Sequence, residues 1–170
     1  MTLLAIDPSS TCTGWALLSE KGELLEYGVW RPSRKDDPYV RIEKMCGSMA
    51  LLLDKTPVEH VVLEVTSGHV SSRHAGTGAG LATYGVAVGA FWAWLRLMEI
   101  GLQFYSHRVY ENEWTGGLPK KNYKGKYPIN RHDQIVAEFK LPGETSDDIT
   151  DAIGLGMWWL THRKLLEVTA

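Results

Sequence analysis

The chain has 170 residues, a one-domain length, and at 44% hydrophobic and 22% charged it has an ordinary globular composition. A domain this long buries about 70% of its unfolded surface, so it needs neither a disulfide nor a structural metal, and Cys12 and Cys46 make no disulfide framework. The start reaches an acid at Asp7 with no basic stretch ahead of it, which predicts no signal peptide and a reducing, cytoplasmic setting. The net charge of -2 argues against a general polyanion binder, but residues 114–132 hold five bases and no acid, so the rest of the chain is -7. An acidic body with one basic segment suits a metal-using enzyme acting on a polyanion.

Leu3 to Ile6 predicts a first strand ending in the turn residues Asp7, Pro8, Ser9 and Ser10. Gly14 to Leu18 and Leu24 to Trp30 predict two more strands, joined by short turns into an antiparallel meander. Ile42, Met45, Met49, Leu52 and Leu53 recur at helical spacing up to Pro57. His60 to Val65 is β-branched, and because it follows a helix it can pair in parallel with an earlier strand. From Ala75 to Leu95 there are 21 residues without charge, a length that touches the membrane-span range. Gly76, Gly78, Gly80, Gly85 and Gly89 are expected to break that segment, so no membrane is expected. It carries a small stripe (Gly78, Ala82, Gly85, Gly89, Ala93) and a bulky one (Leu81, Tyr84, Val88, Trp92, Leu95), which predicts a helix buried on both faces. A strand from Leu102 to Val109, a polar loop from Glu111 to Arg131, a helix capped by Asn130 and a last helix capped by Ser146 complete an α/β domain with a mixed sheet.

Four acids are candidates for chemistry. Asp7 ends the first strand and Glu64 lies near the end of the fourth, inside an otherwise apolar run. Asp148 and Asp151 are three apart on the last helix and share a face. Taken singly, Asp7 fits an Asx turn and Asp147 and Asp148 fit helix capping. Together, acids at strand ends facing an acidic helix turn form a pocket that a cation would neutralise. Oxygen donors suit Mg²⁺ or Mn²⁺, and no Cys or His cluster has zinc spacing.

These segments resemble the RuvC family of Holliday-junction resolvases, within the ribonuclease H-like superfamily. Leu4-Ala-Ile-Asp7 through Gly14-Trp15 is similar to the family's opening strand, catalytic aspartate and turn. Val61-Val-Leu-Glu64 is similar to its second motif, and Asp148-Ile-Thr-Asp151-Ala-Ile to its last. The order and spacing match over nearly the whole chain. The resemblance implies a ribonuclease H-like five-stranded mixed sheet flanked by helices, in one domain spanning 1–170 with the basic loop 114–131 inserted before the last two helices.

The resemblance further implies that Asp7, Glu64, Asp148 and Asp151 bind two Mg²⁺ ions (Mn²⁺ as substitute), and that Arg131 serves near the scissile phosphate. It implies a crossover junction endodeoxyribonuclease that leaves 5′-phosphate and 3′-hydroxyl ends, works on four-way or other branched DNA, and forms a homodimer through Gly78, Ala82, Gly85 and Gly89. Lys120, Lys121, Lys124, Lys126, Tyr123 and Tyr127 interleave bases with aromatics and are candidate DNA contacts, as are His69 and Arg73 in the loop after Glu64. His107 and His162 read as structural, and Trp92, Trp158 and Trp159 as core. The family's aromatic wedge after the second acid is absent; Ser67, Gly68 and His69 stand there. Asp147 shares a face with Asp151 at i, i+4, but the motif spacing favours Asp148. The alternatives are a ribonuclease H-like nuclease on other branched or RNA-containing substrates, or a non-catalytic branched-DNA binder. Asp7 to Gly14 also resembles the phosphate loop of sugar-kinase-like ATP binders, but those close two lobes around ATP and this chain has length for one, so no nucleotide cofactor is expected.

Overall fold

The computed structural model describes residues 1–65, 78–115 and 130–167. Five strands, β1 (Thr2–Asp7), β2 (Thr13–Ser19), β3 (Leu24–Trp30), β4 (His60–Val65) and β5 (Tyr105–Tyr110), form one sheet in the order β3-β2-β1-β4-β5. The helices are α1 (Pro38–Lys55), α2 (Gly78–Leu102), α3 (Glu111–Trp114), α4 (Arg131–Phe139) and α5 (Asp147–Glu167). The meander β1–β2–β3 is antiparallel, whereas β4 runs parallel to both β1 and β5. The crossovers through α1 and α2 impose this, since parallel neighbours need a long connection.

The central strand explains the apolar run at the start. Leu3, Leu4, Ala5 and Ile6 are all fully buried because β1 is covered on both faces. Leu4, Ile6, Val61 and Leu63 pack with Met45, Met49, Phe91 and Leu95 on the side of α1 and α2. Leu3, Ala5, Val62 and Val109 pack with Leu155 and Trp159 on the side of α5. Side chains alternate along a strand, so Asp7 and Glu64 continue the α5 side, at the carboxyl ends of two adjacent parallel strands. Three missing side chains let the elements approach closely. A Cβ at Gly156 would overlap Leu18, one at Gly154 would stand 2.9 Å from the Trp114 ring, and one at Gly14 would overlap the Asp148 carbonyl.

Several expectations need correction. The uncharged segment is not broken by its glycines: α2 is one continuous helix through Gly80, Gly85 and Gly89, because glycine lowers helix propensity without forbidding it. Nor is it buried on both faces, since only 17% of its most apolar window is buried. Its seam is Ala87, Phe91 and Leu95, at i, i+4 and i+8, while Ala82, Gly85, Gly89 and Ala93 are exposed. By length and composition alone, Gly80–Leu102 could cross a membrane; here its seam joins the core under α1. Both ends of the segment expected as a basic loop, 114–131, are helical: Trp114 closes α3 and Arg131 opens α4. The Asn130 carboxamide does cap α4, accepting from the Asp133 N–H. Ser146 does not cap α5 with its hydroxyl, which is buried without a partner among the described residues; its backbone carbonyl accepts from Ile149 and Thr150 instead. Lys120, Lys121, Tyr123, Lys124, Lys126, Tyr127, His69 and Arg73 lie outside the described residues.

Candidate active site

Strand pairing brings the first two acids together. Ile6 pairs with Leu63 in parallel, so Asp7 and Glu64 are the next residues on neighbouring strands. Asp7 is also the register partner of Gly14 on β2. The bare Gly14 backbone receives the first turn of α5, with the Asp148 Cβ 3.0 Å from where a Gly14 Cβ would stand. The close approach of Gly14 and α5 thus sets Asp148 over the end of β1. Asp147, one residue earlier, lies against α4. It lies 3.3 Å from the His132 Nδ1, which also contacts the Thr150 hydroxyl at 3.1 Å.

Three of the four acids are held by donors from different parts of the chain. The Trp114 indole N–H donates to Glu64 Oε2 at 2.7 Å, and Glu64 is only 8% exposed. Arg131, opening α4, donates from Nη2 to Asp151 Oδ1 at 3.0 Å. The Cys12 thiol donates to Asp148 Oδ2 at 3.2 Å, and Arg31, just past β3, lies 3.8 Å from the same oxygen. Burial pushes the Cys12 thiol up from its ordinary range, and the Asp148 carboxylate adds to that push, so Cys12 stays protonated as a donor. Burial likewise raises the Tyr84 phenol of α2, and the carboxylates of Glu64, Asp7 and Glu111 raise it further. One phenol that feels Glu64, Asp7 and Glu111 together marks a single acidic neighbourhood at the top of the sheet.

All four acids offer oxygen, the donor type that hard divalent cations take. Among the described residues, no three His, Cys, Asp or Glu side chains are gathered tightly enough to grip an ion as they stand. Glu64, Asp148 and Asp151 each have one oxygen on a protein donor. The donor chemistry of the four acids fits such a cation.

Sequence reasoning missed Trp114, Cys12, Arg31 and Tyr84 as neighbours of the acids. Only Trp114 carried a local signal, a lone tryptophan one turn past a strand in a polar stretch. His107 makes a 3.0 Å contact with His60, and both rings lie 4.9 Å from the buried Trp159 ring, on the α5 face at the amino-terminal end of β4 and β5. Trp159 is core, whereas Trp92 and Trp158 are half-buried.

No protein-family profile and no curated protein matches the chain. Solved structures do match. Thermus thermophilus RuvC bound to a Holliday junction substrate superposes with a TM-score of 0.70 at 13% identity, covering 97% of this chain and 96% of that one. The same RuvC in a second structure gives 0.68 at 13% identity. The yeast mitochondrial Holliday junction resolvase gives 0.62 at 12% identity, covering 98% of this chain and 80% of that one. With its five-stranded mixed sheet and flanking helices, the chain has the ribonuclease H-like fold of the RuvC resolvases.

Proposed function

We propose that the chain is a metal-dependent, structure-selective endonuclease that resolves four-way DNA junctions by paired nicks. The observation that carries this reading is the placing of Asp7, Glu64 and Asp148 where two parallel strand ends meet the first turn of α5, in a fold shared with a RuvC bound to a Holliday junction. Asp7, Glu64, Asp148 and Asp151 would hold two Mg²⁺ or Mn²⁺ ions. Such ions supply the charge that activates a water and stabilises the leaving 3′ oxygen. The chain's own residues then do the positioning. Arg131 brings a fixed cation to the edge of the site for a phosphate oxygen, Trp114 holds Glu64, and Cys12 holds Asp148. The products carry 5′-phosphate and 3′-hydroxyl ends. Lys120, Lys121, Lys124 and Lys126 add phosphate contacts.

The test is incubation with Mg²⁺ and synthetic four-way, three-way and linear duplex DNA, with every strand end-labelled in turn. The expected result is nicks at symmetric positions in two strands of the four-way junction alone. Equal cutting of three-way or linear duplex DNA would overturn the junction preference, and binding without cutting would leave only a branched-DNA binder.

Two symmetric nicks call for a two-fold assembly, and the homodimer is part of the proposal. Ala82, Gly85, Gly89 and Ala93 are exposed, a Cβ at Gly85 or Gly89 would meet nothing within 4 Å, and Leu97 and Ile100 beyond them are 73% and 85% exposed. Sedimentation at micromolar concentration should give twice the chain mass and shift toward the monomer in Gly89→Leu. A monomeric wild type would remove this part.

A further inference from the structure

Four side chains from four elements form one chain of contacts across the site. Trp114 of α3 donates its indole N–H to Glu64 of β4 at 2.7 Å. The Arg131 guanidinium of α4 lies 4.3 Å from the centre of the Trp114 ring. Arg131 in turn donates to Asp151 of α5 at 3.0 Å. The chain is closed off from solvent: Trp114 is 6% exposed, and the Arg131 and Asp151 side chains are 12% and 6% exposed. Helix α5 is notched to receive the indole, because a Cβ at Gly154 would stand 2.9 Å from the ring and 3.0 Å from Ile135. Gly154 lies one turn beyond Asp151, so the helix that supplies one acid also seats the ring.

Resting on the nuclease reading above, we infer that Trp114 is a positioning residue that sets Glu64 and Arg131 in one frame. Packing alone would be served by any ring of this size. A charge-assisted N–H bond commits Glu64 Oε2 to the indole and fixes the rotation of that carboxylate. The ring face offers Arg131 a cation–π seat, which orients the guanidinium without neutralising it. Glu64 on a strand and Asp151 on a helix are thereby tied through Trp114 and Arg131. Groups that orient a metal-binding carboxylate in this way contribute about 10–100-fold to metal affinity.

Two measurements on the full chain test this. In the wild type, the Trp114 indole N–H resonance, assigned through its contacts to Gly154 and Ile135, should move when Glu64→Gln is introduced. In Trp114→Phe, which keeps a ring under Arg131, Mn²⁺ binding by the DNA-free protein, followed by electron paramagnetic resonance, should weaken about tenfold. Half-maximal cutting should need about tenfold more metal, with the rate restored at saturation and junction binding in Ca²⁺ unchanged. An indole resonance indifferent to Glu64→Gln, or wild-type Mn²⁺ dependence in Trp114→Phe, would overturn the inference. If the resonance moves but wild-type protein binds no Mn²⁺ or cuts no junction, the nuclease reading falls and the coupling of Trp114 to Glu64 stands.

Discussion

Replacing Asp7 with asparagine should abolish strand cutting while junction binding in Ca²⁺ holds or tightens. Asp7 ends the central strand between Gly14 and the strand that carries Glu64, so it lies where the acids of β1, β4 and α5 meet. Asparagine keeps the size and one oxygen but removes the charge that favours a divalent cation. Losing several kcal/mol of charge stabilisation in the reacting state corresponds to roughly 10³-fold in rate. The same change removes one negative charge facing DNA, which is why binding should not suffer. Asp7→Asn is a cleaner probe than Asp151→Asn, because Asp151 is partnered by the buried Arg131 and its loss would strand that cation at a cost to stability. Asp147→Asn serves as the control, since Asp147 pairs with His132 of α4; it should cut at nearly the wild-type rate. Normal cutting by Asp7→Asn would sink the four-acid site.

The parts of this molecule that were readable in the sequence are those written in local patterns. The β-branched run His60 to Val65 and the apolar run Leu3 to Ile6 predicted strands, and the parallel pairing followed from the helix between them. Glu64 stood out because a carboxylate interrupts an apolar strand. Helix α2 shows the limit of local reading. Its glycines suggested breaks and its apolar length suggested burial, yet it packs along the one seam Ala87–Phe91–Leu95 with Val88, Ala90, Trp92 and Met98 half-buried beside it. The donors around the acids were invisible for a different reason. Trp114 is 50 residues from Glu64, and Cys12 is 136 from Asp148. Nothing near Cys12 or Arg31 in the chain announces an acidic partner; only the closing of α5 onto Gly14 creates it. The separation of Asp147 from Asp148 was also a matter of tertiary contact, since helical spacing allowed either to face Asp151.

That closing contact underlies the second large effect. Gly14→Ala should destabilise the fold by about 2–3 kcal/mol, the usual cost of forcing a methyl into a packed contact. For a chain of this length, that is a fall in Tm of roughly 5–10 °C. The added Cβ would overlap the carbonyl of Asp148, which is backbone and cannot swing aside like a side-chain tip. Nor can α5 simply lift away, because Gly156 two turns on is already pressed against Leu18 and Ala5. The strain should therefore be relieved by tilting the first turn of α5, which carries Asp148 away from Asp7. Cutting should then drop far more than junction binding, even well below the new Tm. Gly47→Ala in α1 is the matched control: its Cβ would meet nothing within 4 Å, and alanine in a helix interior is better than glycine by up to about 1 kcal/mol. It should leave cutting unchanged and raise Tm slightly. If Gly14→Ala melts and cuts like the wild type, the contact between β2 and the first turn of α5 does not hold Asp148 in place, and the assembly of the site must depend on something other than this missing side chain.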